Sequence, residues 1–184
     1  MRINLINDKS IVRRIISIDP SGNGSTGVFV GYYNETLKQF IKGYQKTFNI
    51  KEFDLLMDFL LPHLRGDYHQ CSITKPILVI EDYVDRGISK DNSTKALIEK
   101  IKWHCYQINK HLIFYLQQPS NKALWTNARL LDIGILKKET NHYCLKGFFD
   151  RPSRHVVDAL RHFLFRIVAI YQYKIDLKQF FGEY

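Results

Sequence analysis

Ile15-Ile16-Ser17-Ile18-Asp19-Pro20-Ser21-Gly22-Asn23-Gly24-Ser25-Thr26-Gly27-Val28-Phe29-Val30 is the stretch around which the rest of the chain is arranged. It opens with an apolar run, Ile15 to Ile18, that ends on a carboxylate, Asp19. A turn rich in Pro, Ser, Gly and Asn follows, and then a second β-run from Val28 to Tyr33. A short apolar run bounded by turn residues reads as a buried strand. Asp19 is therefore expected at the tip of a central strand, with the chain doubling back as a hairpin. A buried acid is costly unless a cation, a backbone nest or a metal pairs with it. Taken alone, Asp19 is equally well explained as the former of an Asx-turn.

Working outward, Leu37 to Phe48 reads as a third strand, joined to the second by a tight polar connection at Asn34-Glu35. Three strands with short turns imply an antiparallel meander. Residues 1 to 14 read as a leader before the first strand. From Asn49 to Leu64 the period changes, with Phe53, Leu56, Met57, Leu60 and Leu61 spaced for one helical face. Pro76-Ile77-Leu78-Val79-Ile80-Glu81-Asp82 repeats the opening pattern, a buried strand capped by acids. Its continuous apolar block fits a strand covered on both faces. A second helix is expected over Ser93 to Asn109, a fifth strand over Leu112 to Leu116, and a short helix over Asn121 to Leu131. Residues 137 to 154 read as an irregular loop, and the last long helix as starting at Pro152-Ser153 and reaching about Tyr171. The expected fold is α/β: a five-stranded mixed sheet of order 3-2-1-4-5 with helices on both faces. That order puts Asp19 and Glu81 at neighbouring strand ends.

The last helix carries His155-Val156-Val157-Asp158-Ala159. His155 and Asp158 share a face, with His162 on the same side, and this face is read as lying off the apolar stripe. If the helix crosses the sheet near the first strand, Asp158 joins Asp19 and Glu81. Three carboxylates converging without Lys or Arg repel one another, and a hard divalent cation relieves the repulsion. Two Mg²⁺ ions about 3.5–4 Å apart stabilise both the attacking and leaving oxygens in phosphodiester cleavage.

Composition agrees with a polyanionic partner. The 184 residues fit one domain, 1–184, and 27 basic against 18 acidic residues give a net charge of +9. Basic residues Lys137, Lys138, Lys146, Arg151 and Arg154 are interleaved with Tyr143, Phe148 and Phe149, a mixture suited to phosphate contact and base stacking. A solvated loop that folds its aromatics inward explains the same residues. Lys122, Trp125 and Arg129 are spaced along one helix face. Cys71, Cys105 and Cys144 form no paired motif, which points to a reducing cytoplasm. No apolar run approaches the ~20 residues of a membrane span, and no signal peptide is visible.

The series IISIDPSGNGSTGV, ILVIEDY, FYLQQPSNK and HVVDAL resembles the RuvC-like Holliday junction resolvases of the RNase H-like superfamily, in the divergent form carried by phages and mobile elements. The resemblance covers about residues 13 to 170. It implies Asp19, Glu81, His155 and Asp158 as metal ligands and catalytic residues, with Mg²⁺ replaceable by Mn²⁺ and two ions bound. Lys122 falls on the lysine beside the scissile phosphate, and Lys122, Arg129 and Tyr83 join the basic residues of 137–154 as DNA contacts. It implies a homodimer paired through the helix Ser93 to Asn109, branched DNA as partner, and the cytoplasm, a host's where the gene is a phage's, or an organelle. The chain departs from the family where Val84 occupies the place of the junction-wedging aromatic, with Tyr83 one position earlier. Three other readings stay open at this point. One is another RNase H-like nuclease, acting on RNA–DNA hybrid or in DNA packaging. Another is an actin-like kinase or ATPase using Asp19 to Gly27 as a phosphate turn. The third is a basic DNA-binding protein without catalysis.

Overall fold

A computed structural model describes residues 11–21, 24–65, 74–82, 92–139, 142–145 and 151–182. Five strands form one sheet: β1 (Val12–Asp19), β2 (Ser25–Asn34), β3 (Gln39–Asn49), β4 (Ile77–Glu81) and β5 (Ile113–Gln117), in the order β3-β2-β1-β4-β5. β1 is the central strand. It pairs antiparallel with β2 and parallel with β4, with Ile18 opposite Ile80. Asp19 and Glu81 therefore leave the sheet side by side, as the strand order required. β1 begins three residues earlier than its apolar run, because Val12, Arg13 and Arg14 pair with Asn34, Tyr33 and Tyr32. The expected leader is thus part strand. The β2–β3 turn is longer than Asn34-Glu35, and Lys38 takes a positive φ of 50° within it.

Both faces of the sheet are covered, which is why the Ile15 to Ile18 part of β1 (Ser17 apart) and Ile77 to Ile80 of β4 are apolar. One face packs on α1 (Phe53–Arg65) and α2 (Ser93–Ile108), burying Ile16, Ile18, Val28, Val30, Leu78 and Ile80. A capping box formed by Asn49 and Glu52 precedes α1. The other face packs on α5 (Arg154–Ile170), burying Ile15, Phe29, Tyr33, Ile77 and Val79.

The expected helix 121–131 is two short helices, α3 (Ser120–Ala123) and α4 (Asn127–Asp132). Trp125 drops into the core between them, and Thr126 caps α4 by accepting from the Arg129 N–H. Within 137–154, two strands, β6 (Leu136–Glu139) and β7 (His142–Leu145), form a hairpin in place of irregular loop. The chain also forms α6 (Leu177–Phe181), whose Phe180 and Phe181 pack on Phe40. No helix among the described residues is long and apolar enough to cross a membrane.

Candidate active site

Asp19 and Glu81 are delivered by the parallel ends of β1 and β4, and α5 brings the remaining groups. Ser153 caps α5: its Oγ accepts from the Val156 N–H at 3.2 Å and meets Thr47 Oγ1 of β3 at 2.7 Å. Gly27 of β2 lies directly under the His155 carbonyl, and any Cβ there would collide with the His155–Val156 backbone. The first turn of α5 is thereby pinned on the sheet next to Asp19.

Five predicted residues converge here: Asp19, Glu81, Lys122, His155 and Asp158. His155 Nδ1 lies 2.5 Å from Asp19 Oδ2. Lys122 Nζ, from α3, donates to Glu81 Oε2 at 2.8 Å, to Asp158 Oδ2 at 3.1 Å and to Asp19 Oδ1 at 3.4 Å. Arg161 Nη1 donates to Asp158 Oδ1 at 2.6 Å, and its Nη2 to Asn127 Oδ1 at 2.6 Å. Two expectations need correction. The carboxylates do not converge without a cation, since an ammonium sits among all three and a guanidinium holds the third. Nor does the Asp158 face lie off the buried stripe: Asp158 and His162 are both buried within it.

Burial first, and then the hydrogen bond and charge of Glu81, lift the Asp19 carboxyl to about 8. Burial also works against the charge on Glu81, but hydrogen bonds from His162, Asp19 and Lys122 outweigh it and hold Glu81 below the usual range. The two carboxyls titrate as a pair, with the negative charge favoured on Glu81. Burial opposes the charge on Lys122 as well, yet its three carboxylate partners raise its pKa.

Asp19, Glu81, Lys122, His155 and Asp158 line a cleft of about 420 Å³ that also includes Ser21, Thr94 and Arg154. Asp19, Glu81 and His162 each offer one ligand atom within 4.8 Å of the others, so this group can hold a metal ion. The other predicted contacts scatter. Arg129 stacks over Trp125 at 4.3 Å, outside the cleft. Lys137 and Lys138 are exposed on β6, Lys137 beside Glu139 at 3.8 Å. Arg151 is exposed just before α5. Tyr83 and Lys146 lie outside the described residues, as do Val84 and Cys71. His162 was placed on the Asp158 face from the sequence but given no role, and Arg161 and Gln117 were not singled out. The spacing of Arg161 and His162 from Asp158, three and four residues, was the available signal.

No family model and no curated protein sequence matches this chain. Solved structures do. T. thermophilus RuvC in complex with Holliday junction substrate superposes with a TM-score of 0.51 at 14% identity, over 86% of this chain and 96% of that one. Fowlpox virus resolvase in complex with substrate Holliday junction DNA aligns at 13% identity with a TM-score of 0.34, over 65% and 70% of the two chains. The mixed sheet of order 3-2-1-4-5, with helices on both faces, is the RuvC-like, RNase H-like fold.

Proposed function

We propose that this chain is a divalent-metal-dependent, structure-selective DNA endonuclease that resolves four-way junctions or related branched DNA. The observation that carries the reading is the convergence of Asp19, Glu81 and Asp158 on one point of an open cleft at the ends of β1 and β4. The Lys122 ammonium serves as the fit test. It is a cation held by all three carboxylates at once, and hard oxygen donors in that arrangement suit Mg²⁺, with Mn²⁺ tolerated. Asp19, Glu81 and Asp158 would hold the metal, two ions in our reading, with His155 as a further ligand or proton carrier. When bound, such ions activate water and stabilise the leaving oxygen of a phosphodiester.

The chain's own groups do the rest. His155 orients Asp19 through Nδ1. Lys122 is the charged group at the cleft that meets the scissile phosphate, and Arg154 at the cleft rim meets the backbone beside it. Resolution requires two symmetric cuts, hence a homodimer. Helix α2 supports this, since Trp103 and Tyr106 are 59% and 51% exposed on it, and aromatic residues are enriched at interfaces. Free thiols at Cys105 and Cys144 agree with the cytoplasm.

A labelled four-way junction, a duplex and an RNA–DNA hybrid, each with and without Mg²⁺, test the reading. The junction should be cut only with metal. Asp19→Asn, Glu81→Gln and Asp158→Asn should each slow cleavage on the order of 10³-fold or more, about 4 kcal/mol of barrier, while still binding the junction. Preferred cutting of hybrid or duplex, or full cutting by two of the three variants, overturns it.

A further inference from the structure

His162 is the buried group at this site that the proposed chemistry leaves unused. It sits on α5, four residues after Asp158, and its side chain is 0% exposed. Nε2 lies 2.8 Å from Glu81 Oε2, and Nδ1 lies 2.9 Å from Gln117 Oε1. Glu81 and Gln117 are register partners at the ends of β4 and β5. One imidazole therefore ties two strand ends to the helix that carries Asp158.

His162 belongs to the group of ligand atoms that can hold a metal, so a ligand role has to be weighed against a supporting one. Two observations separate them. The Glu81 side chain is 14% exposed and lines the cleft, whereas His162 stands behind it and does not. Both imidazole nitrogens are also engaged. An ionised carboxylate only accepts, so Nε2 facing Glu81 donates. The Gln117 amide serves Nδ1 in either orientation, by accepting through its oxygen or donating through its NH₂. A metal-ligating imidazole needs a bare nitrogen facing the ion.

We propose that His162 is a positioning residue that, braced by Gln117, fixes the Glu81 carboxylate in the orientation in which it faces the cleft. This rests on reading the cleft as a cation site. Lys122 donates to the same Glu81 oxygen, but from a flexible stem in the cleft, where a phosphate draws it away. His162 is locked in the core and keeps Glu81 aimed in both situations.

Mn²⁺ binding to the protein without DNA, read as free ion by EPR, tests the proposal. His162→Leu keeps the bulk and removes the donor; it should weaken binding ~10–100-fold, the usual effect of losing a partner behind a ligand. His162→Gln restores an N–H to Glu81 and should stay within about 3-fold of native. In a Glu81→Gln background, His162→Leu should have no further effect, because its action passes through Glu81. Gln117→Leu leaves His162 unbraced and should weaken binding by a smaller factor; it decides the matter if His162→Leu does not fold. Native-like binding in the Leu variants overturns the proposal. So does an equal loss in the Glu81→Gln background, or a Gln variant no better than Leu. Native protein that binds no Mn²⁺ removes the cation-site reading itself, and this proposal with it; the native arm reads the cleft and the variant arms read His162.

Discussion

Arg14 and Asp19 lie on the same strand, yet they serve opposite faces and opposite ends of the sheet. On the α1/α2 face, Arg14 is buried and donates to the Leu64 carbonyl at 3.1 Å. Beside it, Tyr32 Oη meets His63 Nδ1 at 2.8 Å, and Lys42 lies over the Tyr32 and Tyr44 rings. Burial first, and then the nearby charges of Arg14 and Lys42, push the His63 pKa down to about 4. On the α5 face, burial and then the hydrogen bond and charge of Glu81 push Asp19 further still, up to about 8. A perturbed titration is therefore common to both clusters and does not by itself mark a site. The α5 face differs in three respects: three carboxylates converge, the Lys122 ammonium stands among them, and an open cleft gives access to both.

The same asymmetry is written into β2. Toward α5 it presents Gly27 and Gly31, where added carbons would strike the His155–Val156 backbone and the Phe163 ring. Toward α1 it presents Val28, Val30 and Tyr32. Gly27→Ala must displace the first turn of α5, whose backbone cannot yield as a side chain does. A shift near 1 Å at reacting groups costs about 10²-fold in rate, and junction cleavage by Gly27→Ala should fall at least that far. Val28→Ala, one residue away, leaves a cavity worth on the order of 1–3 kcal/mol of stability and should cut at the native rate once folded. Equal activity of the two variants would show that α5 is not set by this contact.

His63 offers the next test, on stability. The folded chain holds its pKa at about 4, and the unfolded chain restores the ordinary 6.5. Above 6.5 neither state is protonated at His63 and its contribution is complete. As pH falls from 6.5 toward 4, the unfolded chain takes up a proton that the folded chain refuses. Stability then drops by up to about 1.4 kcal/mol per pH unit from this group. His63→Gln keeps an acceptor for Tyr32 and removes the titration. In urea melts between pH 7 and 4.5, the native protein should lose more stability than His63→Gln, while cleavage at neutral pH is the same for both. Parallel pH profiles would mean that His63 takes up its proton equally in the folded and unfolded chains, and that burial does not depress it.

The strand order was legible because Ile15 to Ile18 and Ile77 to Ile80 are apolar blocks that only a doubly covered sheet accommodates. The acids at their ends and the His155-x-x-Asp158 spacing followed from register and helical period. What escaped was pairing between groups remote in sequence. Lys122 lies 103 residues from Asp19 and 41 from Glu81, and no local pattern says that its ammonium falls among three acids. The three-and-four spacing of Lys122, Trp125 and Arg129 was misleading. Thr126 restarts the helix, so Trp125 enters the core and Arg129 stacks on its ring. α6 escaped for a different reason: five residues are too short to show a period.

The smallest expected effect is electrostatic, and it asks which face meets DNA. With a net charge of +9, affinity for any polyanion is expected from the whole surface, so affinity alone does not locate the contact. The salt slope does, because each phosphate neutralised by a side chain releases condensed counterions. Arg154 is exposed at the start of α5 and lines the cleft. Arg154→Ala should flatten the log K against log salt slope for junction DNA by ~0.9, uniformly across sequences. Lys42 carries the same charge on the opposite face, laid over Tyr32 and Tyr44, and Lys42→Ala should leave the slope unchanged. Lys137 and Lys138, on the β6 hairpin, are the informative intermediates. A flattened slope in either assigns the hairpin to the DNA face, and an unchanged slope assigns it to solvent. Anisotropy titrations in Ca²⁺ on an Asp158→Asn background keep cleavage out of the measurement. If Lys42→Ala flattens the slope and Arg154→Ala does not, the cleft is not where the backbone lies, and the α1/α2 face becomes the DNA-facing side of the molecule.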